Sequence, residues 1–107
     1  INSMKLLKSL KQKKRYIVFD ISQDFSLLDL KNAVDLALEK YFGQLGLSKV
    51  SPLFVKAEGK RFILKVNHQY VDDTIAGIIL IKKIKNVSVI IKSIIVSGTL
   101  KKASEKL

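Results

Sequence analysis

From Tyr16 to Ile21 the chain alternates with a period of two. Ile17, Phe19 and Ile21 point one way and Tyr16, Val18 and Asp20 the other, which predicts a strand. Ser22-Gln23-Asp24 interrupts it with turn residues. The period then lengthens. Leu27, Leu30, Val34, Ala37, Leu38 and Tyr41 form one helical stripe, opened by Ser26 with Asp29 three positions on, close to a capping box. Gly43 and Gly46 supply its stop signals. Ser51 to Ala57 predicts a second strand, at a sheet edge because Pro52 has no N–H to donate. Glu58-Gly59-Lys60 turns the chain into a third strand, Arg61 to Val66, with Phe62, Leu64 and Val66 on one face and Arg61, Ile63 and Lys65 on the other.

Asn67 is a suitable N-cap for a second helix over Gln69 to Ile84, with Val71, Ile75, Ile78, Ile79 and Leu80 on its apolar side. Lys82, Lys83 and Lys85 crowd its C-terminal end, where cations suit the helix dipole. Gly77 inside it costs up to ~1 kcal/mol relative to alanine, so a close helix–sheet contact is expected there. Val87 to Ser97 is almost all β-branched or small, the composition of a last strand packed on both faces. Ser97-Gly98-Thr99 breaks it, and Thr99 is placed to cap a short basic helix. The order β-α-β-β-α-β predicts an α+β, ferredoxin-like (RRM-like) fold: a four-stranded antiparallel sheet with two helices on one face, plus the short basic C-terminal helix. The chain divides into a basic arm over 1–14, an α/β sandwich domain over 15–97 and a basic tail or helix over 98–107. Ile1, Asn2 and Ser3 precede Met4, where native numbering is expected to begin.

In the first and last strands the alternation fails. Tyr16 and Val18 stand opposite Ile17, Phe19 and Ile21. Ile90, Ile94 and Val96 stand opposite Val87, Val89, Ile91 and Ile95. Three or four such side chains left in water would each forgo about 1.5–3 kcal/mol of burial. The face away from the helices is therefore expected to be covered. Thr99–Leu107 is a candidate lid, although Leu100, Ala103 and Leu107 give it a thin apolar stripe, and a partner protein or a second copy is expected to bury the rest.

Charge adds a functional class. Twenty Lys or Arg against nine Asp or Glu give a net charge of +11 on 107 residues. Such a field favours polyanions, nucleic acid first and an anionic membrane surface second, against the plainer reading of a lysine-rich solvated surface. Tyr16–Glu39 is net acidic within this basic chain, so its helix is expected to face away from RNA or to meet a basic protein. The lack of cysteine excludes disulfides, thiol catalysis and thiolate metal sites. No apolar run approaches the ~18 residues of a membrane span, and the N-terminus lacks the apolar region of a secretory signal. A cytoplasmic protein with no membrane partner is expected.

Catalytic chemistry finds little support. His68 has no partner histidine and reads as a surface residue at a helix start. Asp72 and Asp73 would point about 100° apart on a helix and do not make a carboxylate pair. The five glycines form no phosphate-cradling pattern. No catalytic residue and no metal ligand is assigned. Phe62 is expected in the core rather than on a base-stacking platform, because Leu64 and Val66 share its face. Backbone and shape recognition by cations fits better. Lys13, Lys14, Arg15, Thr99, Lys101 and Lys102 are the main candidates for phosphate contact, with Arg61, Lys65 and Lys92 next.

Three segments carry a resemblance: KKRYIVFDI at Lys13–Ile21, KVNHQYVDD at Lys65–Asp73 and VSGTLKK at Val96–Lys102. With the order of elements, they make the chain resemble the archaeal ribonuclease P protein component two family, relatives of a eukaryotic subunit shared by ribonucleases P and MRP. It departs from that pattern at Lys56-Ala57-Glu58 and at Ile95, where a small residue is expected. The resemblance implies an RNA-binding accessory subunit of ribonuclease P, an endoribonuclease whose RNA is the catalyst. The protein would support Mg²⁺-dependent removal of the 5′ leader of precursor tRNA, with the Mg²⁺ used by the RNA. Its implied partners are ribonuclease P RNA, precursor tRNA indirectly and another ribonuclease P protein subunit. The residues alone also admit a generic ribosomal-type RNA-binding protein, a small-molecule-binding regulatory domain of the same fold, and self-association.

Overall fold

The computed structural model describes residues 13–107, so the arm expected over 1–14 lies outside it apart from Lys13 and Lys14. The elements run β1 (Lys14–Ile21), α1 (Leu27–Val50), β2 (Leu53–Glu58), β3 (Arg61–Asn67), a 3-10 turn (His68–Tyr70), α2 (Val71–Ile79), β4 (Lys83–Ile84), β5 (Val87–Ser88), β6 (Ile91–Ser97) and α3 (Leu100–Ser104). The main sheet has the order β2-β3-β1-β6 with every pairing antiparallel. This is the expected ferredoxin-like arrangement, and β2, the strand that follows Pro52, is at an edge.

The larger core forms where the alternation predicted it. Ile17, Phe19 and Ile21 of β1 and Phe62, Leu64 and Val66 of β3 pack against Leu30, Val34 and Leu38 of α1 and Ile78 of α2. Phe62 is fully buried, stacked between Phe19 at 5.2 Å and Phe54 at 5.5 Å between ring centres. Each such pair contributes about 0.5–1.5 kcal/mol beyond its burial. Ser26 caps α1 by accepting the Asp29 N–H at 3.2 Å.

Gly43 breaks α1 with φ +70°, but helix resumes beyond it because Leu47 and Val50 still have core to cover. The chain finally leaves the helix at Ser51, in the left-handed region at φ +50°. Two members of the expected stripe, Leu27 and Tyr41, are exposed.

The second helix is shorter than expected. Helix over Gln69–Ile84 is replaced by the 3-10 turn and nine-residue α2, after which β4 and β5 form a separate hairpin. Lys85 and Asn86, at φ +49° and +66°, are its two turn residues. Both in the left-handed region is the requirement of a two-residue hairpin loop. Lys83 and Lys85 therefore belong to the hairpin and not to a helix end. Asn67 makes no capping bond. Its buried side chain instead donates to the Lys49 carbonyl and accepts from Lys14 Nζ, tying β3 to the end of α1 and to β1. Gly77 makes a helix–helix contact, not a helix–sheet one: a Cβ there would sit 3.0 Å from Tyr41 Cγ.

The last strand also departs from expectation. Val87 and Ser88 belong to the hairpin, and β6 is an edge strand that buries only Ile91 and Ser97. Its register shifts against β1, with Val18 opposite Ile95 and Phe19 opposite Ser93. The extra residue, Ile94, reverses the facing that simple alternation assigned from there on. A second bulge lies between Phe54 and Lys56 of β2.

Beneath the sheet is a second, smaller core. Val18, Ile63 and Ala103 are fully buried together, flanked by Tyr16, Val55, Ile94, Ile95 and Leu107. Thr99–Leu107 is thus a lid, as expected. Thr99 Oγ1 caps α3 by accepting the Lys102 N–H at 3.3 Å, and Arg61 Nη1 donates to the Lys106 carbonyl at 2.6 Å to pin the far end.

Truncation after Gly98 uncovers Val18 and Ile63. We expect increased binding of a fluorescent dye specific for exposed apolar surface and a lower denaturation midpoint; unchanged dye binding and stability would show that the lid is dispensable. A second test concerns the hairpin, held to α1 by Lys85 Nζ at 3.1 Å from Asp29 Oδ1. The Lys85 hydrogen bond holds the Asp29 carboxyl below its usual range, helped by Ser26 and the Lys85 charge and opposed by desolvation. A carboxyl lowered on folding stabilises above its unfolded pKa, and this contribution is lost as pH falls through the folded value. In urea titrations the stability advantage of the native protein over Asp29→Asn should therefore be present at neutral pH and shrink as pH drops below about 4. A pH-independent gap refutes the ion pair.

Candidate nucleic-acid interface

Three antiparallel pairings bring cations to the face of the sheet turned away from α1 and α2. Lys65 stands opposite Tyr16, Arg61 opposite Asp20, and Lys92 opposite Asp20 from the other side. Partners in register share a face, and Val18 and Ile63 place this one beneath the lid. Lys101 and Lys102 are exposed on α3, which lies over the same face.

The nine candidate residues fall into two groups. At the start of β1, Lys13, Lys14 and Arg15 lie beside the end of β6, since Tyr16 pairs with Ser97. A Cβ at Gly98 would be 3.9 Å from Arg15 Nη1, so Arg15 adjoins the root of the lid that carries Thr99, Lys101 and Lys102. Lys65 joins this group with Nζ 5.9 Å from the Tyr16 ring centre. Arg61 and Lys92 lie at the other end of β1, roughly 17 Å away at about 3.3 Å per residue. The lid crosses from the first group toward the second, reaching Arg61 at Lys106.

Several candidates also work inside the fold. Lys14 Nζ donates to Asn67 Oδ1, and Arg15 Nη1 donates to the Lys14 carbonyl at 2.9 Å. Arg61 divides its guanidinium between Asp20 Oδ1 at 3.3 Å and the Lys106 carbonyl. Lys13, Lys92, Lys101 and Lys102 are exposed. Lys56 was missed: it stands opposite Ile63 and so shares the face, a placement that depends on the β2 bulge. Lys106, exposed on the lid, was missed as well. Phe62 offers no surface for base stacking.

His68 is exposed. Among the described residues no three of His, Cys, Asp and Glu come together as metal ligands would. No described helix is long and apolar enough to cross a membrane. The arrangement is suited to holding a phosphate backbone along the lid by charge.

Comparison with known proteins gives the same picture as the three segments singled out in the sequence. The profile of the Rpp14/Pop5 family matches residues 15–107. Ribonuclease P protein component 2 of Methanocaldococcus jannaschii is 37% identical over 100 residues, covering 92% of this chain and 75% of that protein. The proteins of the same name from Sulfurisphaera tokodaii and Pyrococcus furiosus are 34% and 31% identical, covering 84% and 92% of this chain and 75% and 85% of their own lengths. A chain in the cryo-EM structure of yeast ribonuclease MRP shares the fold, with a TM-score of 0.66 at 16% identity over 90% of this chain and 92% of that one. The chain belongs to the Rpp14/Pop5 family.

Proposed function

We propose that this protein is an RNA-binding subunit of a ribonuclease P ribonucleoprotein. In this reading it supports a catalytic RNA that removes the 5′ leader of precursor tRNA in a Mg²⁺-dependent endonucleolytic step. The observation that carries the reading is family membership across residues 15–107, together with relatives that are themselves named ribonuclease P protein components. The cations beneath the sheet support it with a physical role. An RNA that packs its helices together brings phosphates close, and exposed lysines on the lid reduce that repulsion while counterions are released. The Mg²⁺ belongs to the RNA, where it would activate water and stabilise the leaving oxygen. The protein positions and screens; it supplies no acid, base or nucleophile.

The deciding experiment is reconstitution. Cognate ribonuclease P RNA and precursor tRNA, with and without this protein and the other protein subunits, should show faster 5′ cleavage or a lower Mg²⁺ requirement when it is added. The RNA-free protein alone should show no cleavage. Mg²⁺-dependent cleavage by the protein alone, or no effect on the RNA, refutes the reading, and the latter would favour a generic RNA-binding role.

RNA affinity should also fall steeply with salt. If ~5 phosphates are neutralised, the log–log slope should be about −4. Replacing Lys101 and Lys102 together by alanine should flatten it by ~1 or more. An unchanged slope takes α3 off the RNA face.

A further inference from the structure

On the helix side of the molecule, α1 carries more apolar surface than the sheet consumes. Leu30, Val34 and Leu38 face the core and are buried. Beside them runs a second stripe, Ala33, Leu36, Ala37 and Tyr41, which forms one bank of an open trough of about 600 Å³. Leu80 and Ile84 form much of the opposite bank. The side chains that would normally close such a feature are in water: Leu36 is 62% exposed, Leu80 60% and Tyr41 43%. The bank along α1 runs from Asp29 to Tyr41, roughly 18 Å at about 1.5 Å per residue. That length suits about three turns of a helix.

The charges around the trough are one-sided. Lys40, Lys83 and Lys85 line it, and its single acidic lining residue among the described residues, Asp29, pairs with Lys85, so the positive excess of the lining rests on Lys40 and Lys83. Asp35 and Glu39, the other acids of α1, do not line it. Apolar banks rimmed by lysine match a helix with one apolar face and acidic flanks. They match RNA poorly, because a phosphate backbone leaves Leu36 and Leu80 without apolar partners. The chain's own first twelve residues carry Lys5, Lys8 and Lys11 and no acid, the wrong sign for this rim.

We propose that the trough between α1 and the α2–hairpin segment is a docking site for an acidic amphipathic helix of a partner protein. The site lies on the side of the sheet opposite the lid and its cations, so an RNA beneath the sheet and a protein on the helices can be bound together. The proposal does not depend on the RNA reading. It also reverses the expectation that the acid-bearing helix meets a basic protein: the α1 surface that is apolar enough to dock is bordered by lysine.

The test uses the full chain and two synthetic helical peptides of about three turns. Both present leucine at i, i+4 and i+7; one has glutamate on its flanks and the other lysine. Binding is followed by fluorescence anisotropy and located by amide chemical shifts. The glutamate peptide should bind and shift amides of α1 and the hairpin. Leu36→Gln and Leu80→Gln, exposed positions that leave the fold intact, should each weaken it by about tenfold. Lys40→Glu combined with Lys83→Glu should reverse the preference toward the lysine peptide, which a merely structural role would not do. Throughout, the Leu36→Gln variant should keep its RNA affinity. The proposal is overturned if neither peptide binds, if both bind alike, or if the shifts fall on the lid face. Loss of RNA affinity in Leu36→Gln would assign the trough to RNA. A dimer of the unliganded chain that dissociates on Leu36→Gln would assign it to a second copy; either result also overturns the proposal.

Discussion

The fold depends on covering the central strand on both faces. Ile17, Val18 and Phe19 are consecutive in β1 and all three are fully buried. Consecutive strand residues point to opposite faces, so no single layer of helices satisfies them. Helices α1 and α2 cover Ile17 and Phe19, and the lid covers Val18 together with Ile63. The lid is short, and its apolar contribution rests on Ala103 and Leu107. Polar attachments complete it: the Thr99 cap, the reciprocal bonds between Ser97 Oγ and the Thr99 backbone, and the Arg61 bond to Lys106. A residue with a good charge for RNA is thereby partly committed to holding the element that presents other charges.

Much of this was legible because burial leaves a periodic trace. The four strands of the main sheet, the Pro52 edge, the Ser26 and Thr99 caps and the buried place of Phe62 followed from alternation, turn and capping chemistry. The failures share a cause: a locally ambiguous run whose state is settled by a distant partner. Ile78-Ile79-Leu80-Ile81 is equally apolar whether helix continues or stops. The informative residue was Asn86, which tolerates the left-handed region needed for a hairpin turn. Simple alternation fails along β6 because an inserted residue, Ile94, leaves no mark in composition.

Site residues were legible as types and not as a place. Net charge and the lysines after Thr99 pointed to a polyanion, but which cations share a face depends on three strand registers. Lys56 entered the group only through the β2 bulge, and Lys14 was drawn toward the buried Asn67. The trough was invisible for a related reason. The stripe Leu27–Tyr41 has the spacing of one apolar face, whereas the helix divides its apolar residues between the sheet and solvent.

The two surfaces differ in kind although both are rich in lysine. Beneath the sheet, Val18, Ile63 and Ala103 are sealed from water, and the cations stand around this small buried core and its half-buried flanks. Such a surface attracts phosphate at long range and demands little shape, which suits a partner whose charge is spread along a backbone. On the helix side the apolar groups themselves are open, with lysines only at the rim. Burying Leu36 and Leu80 requires a partner that displaces water from them, and an apolar side chain does this where a hydrated phosphate does not. Net charge alone treats all twenty cations as equivalent; among the described residues, the surface beneath a cation differs between the two sides of the sheet.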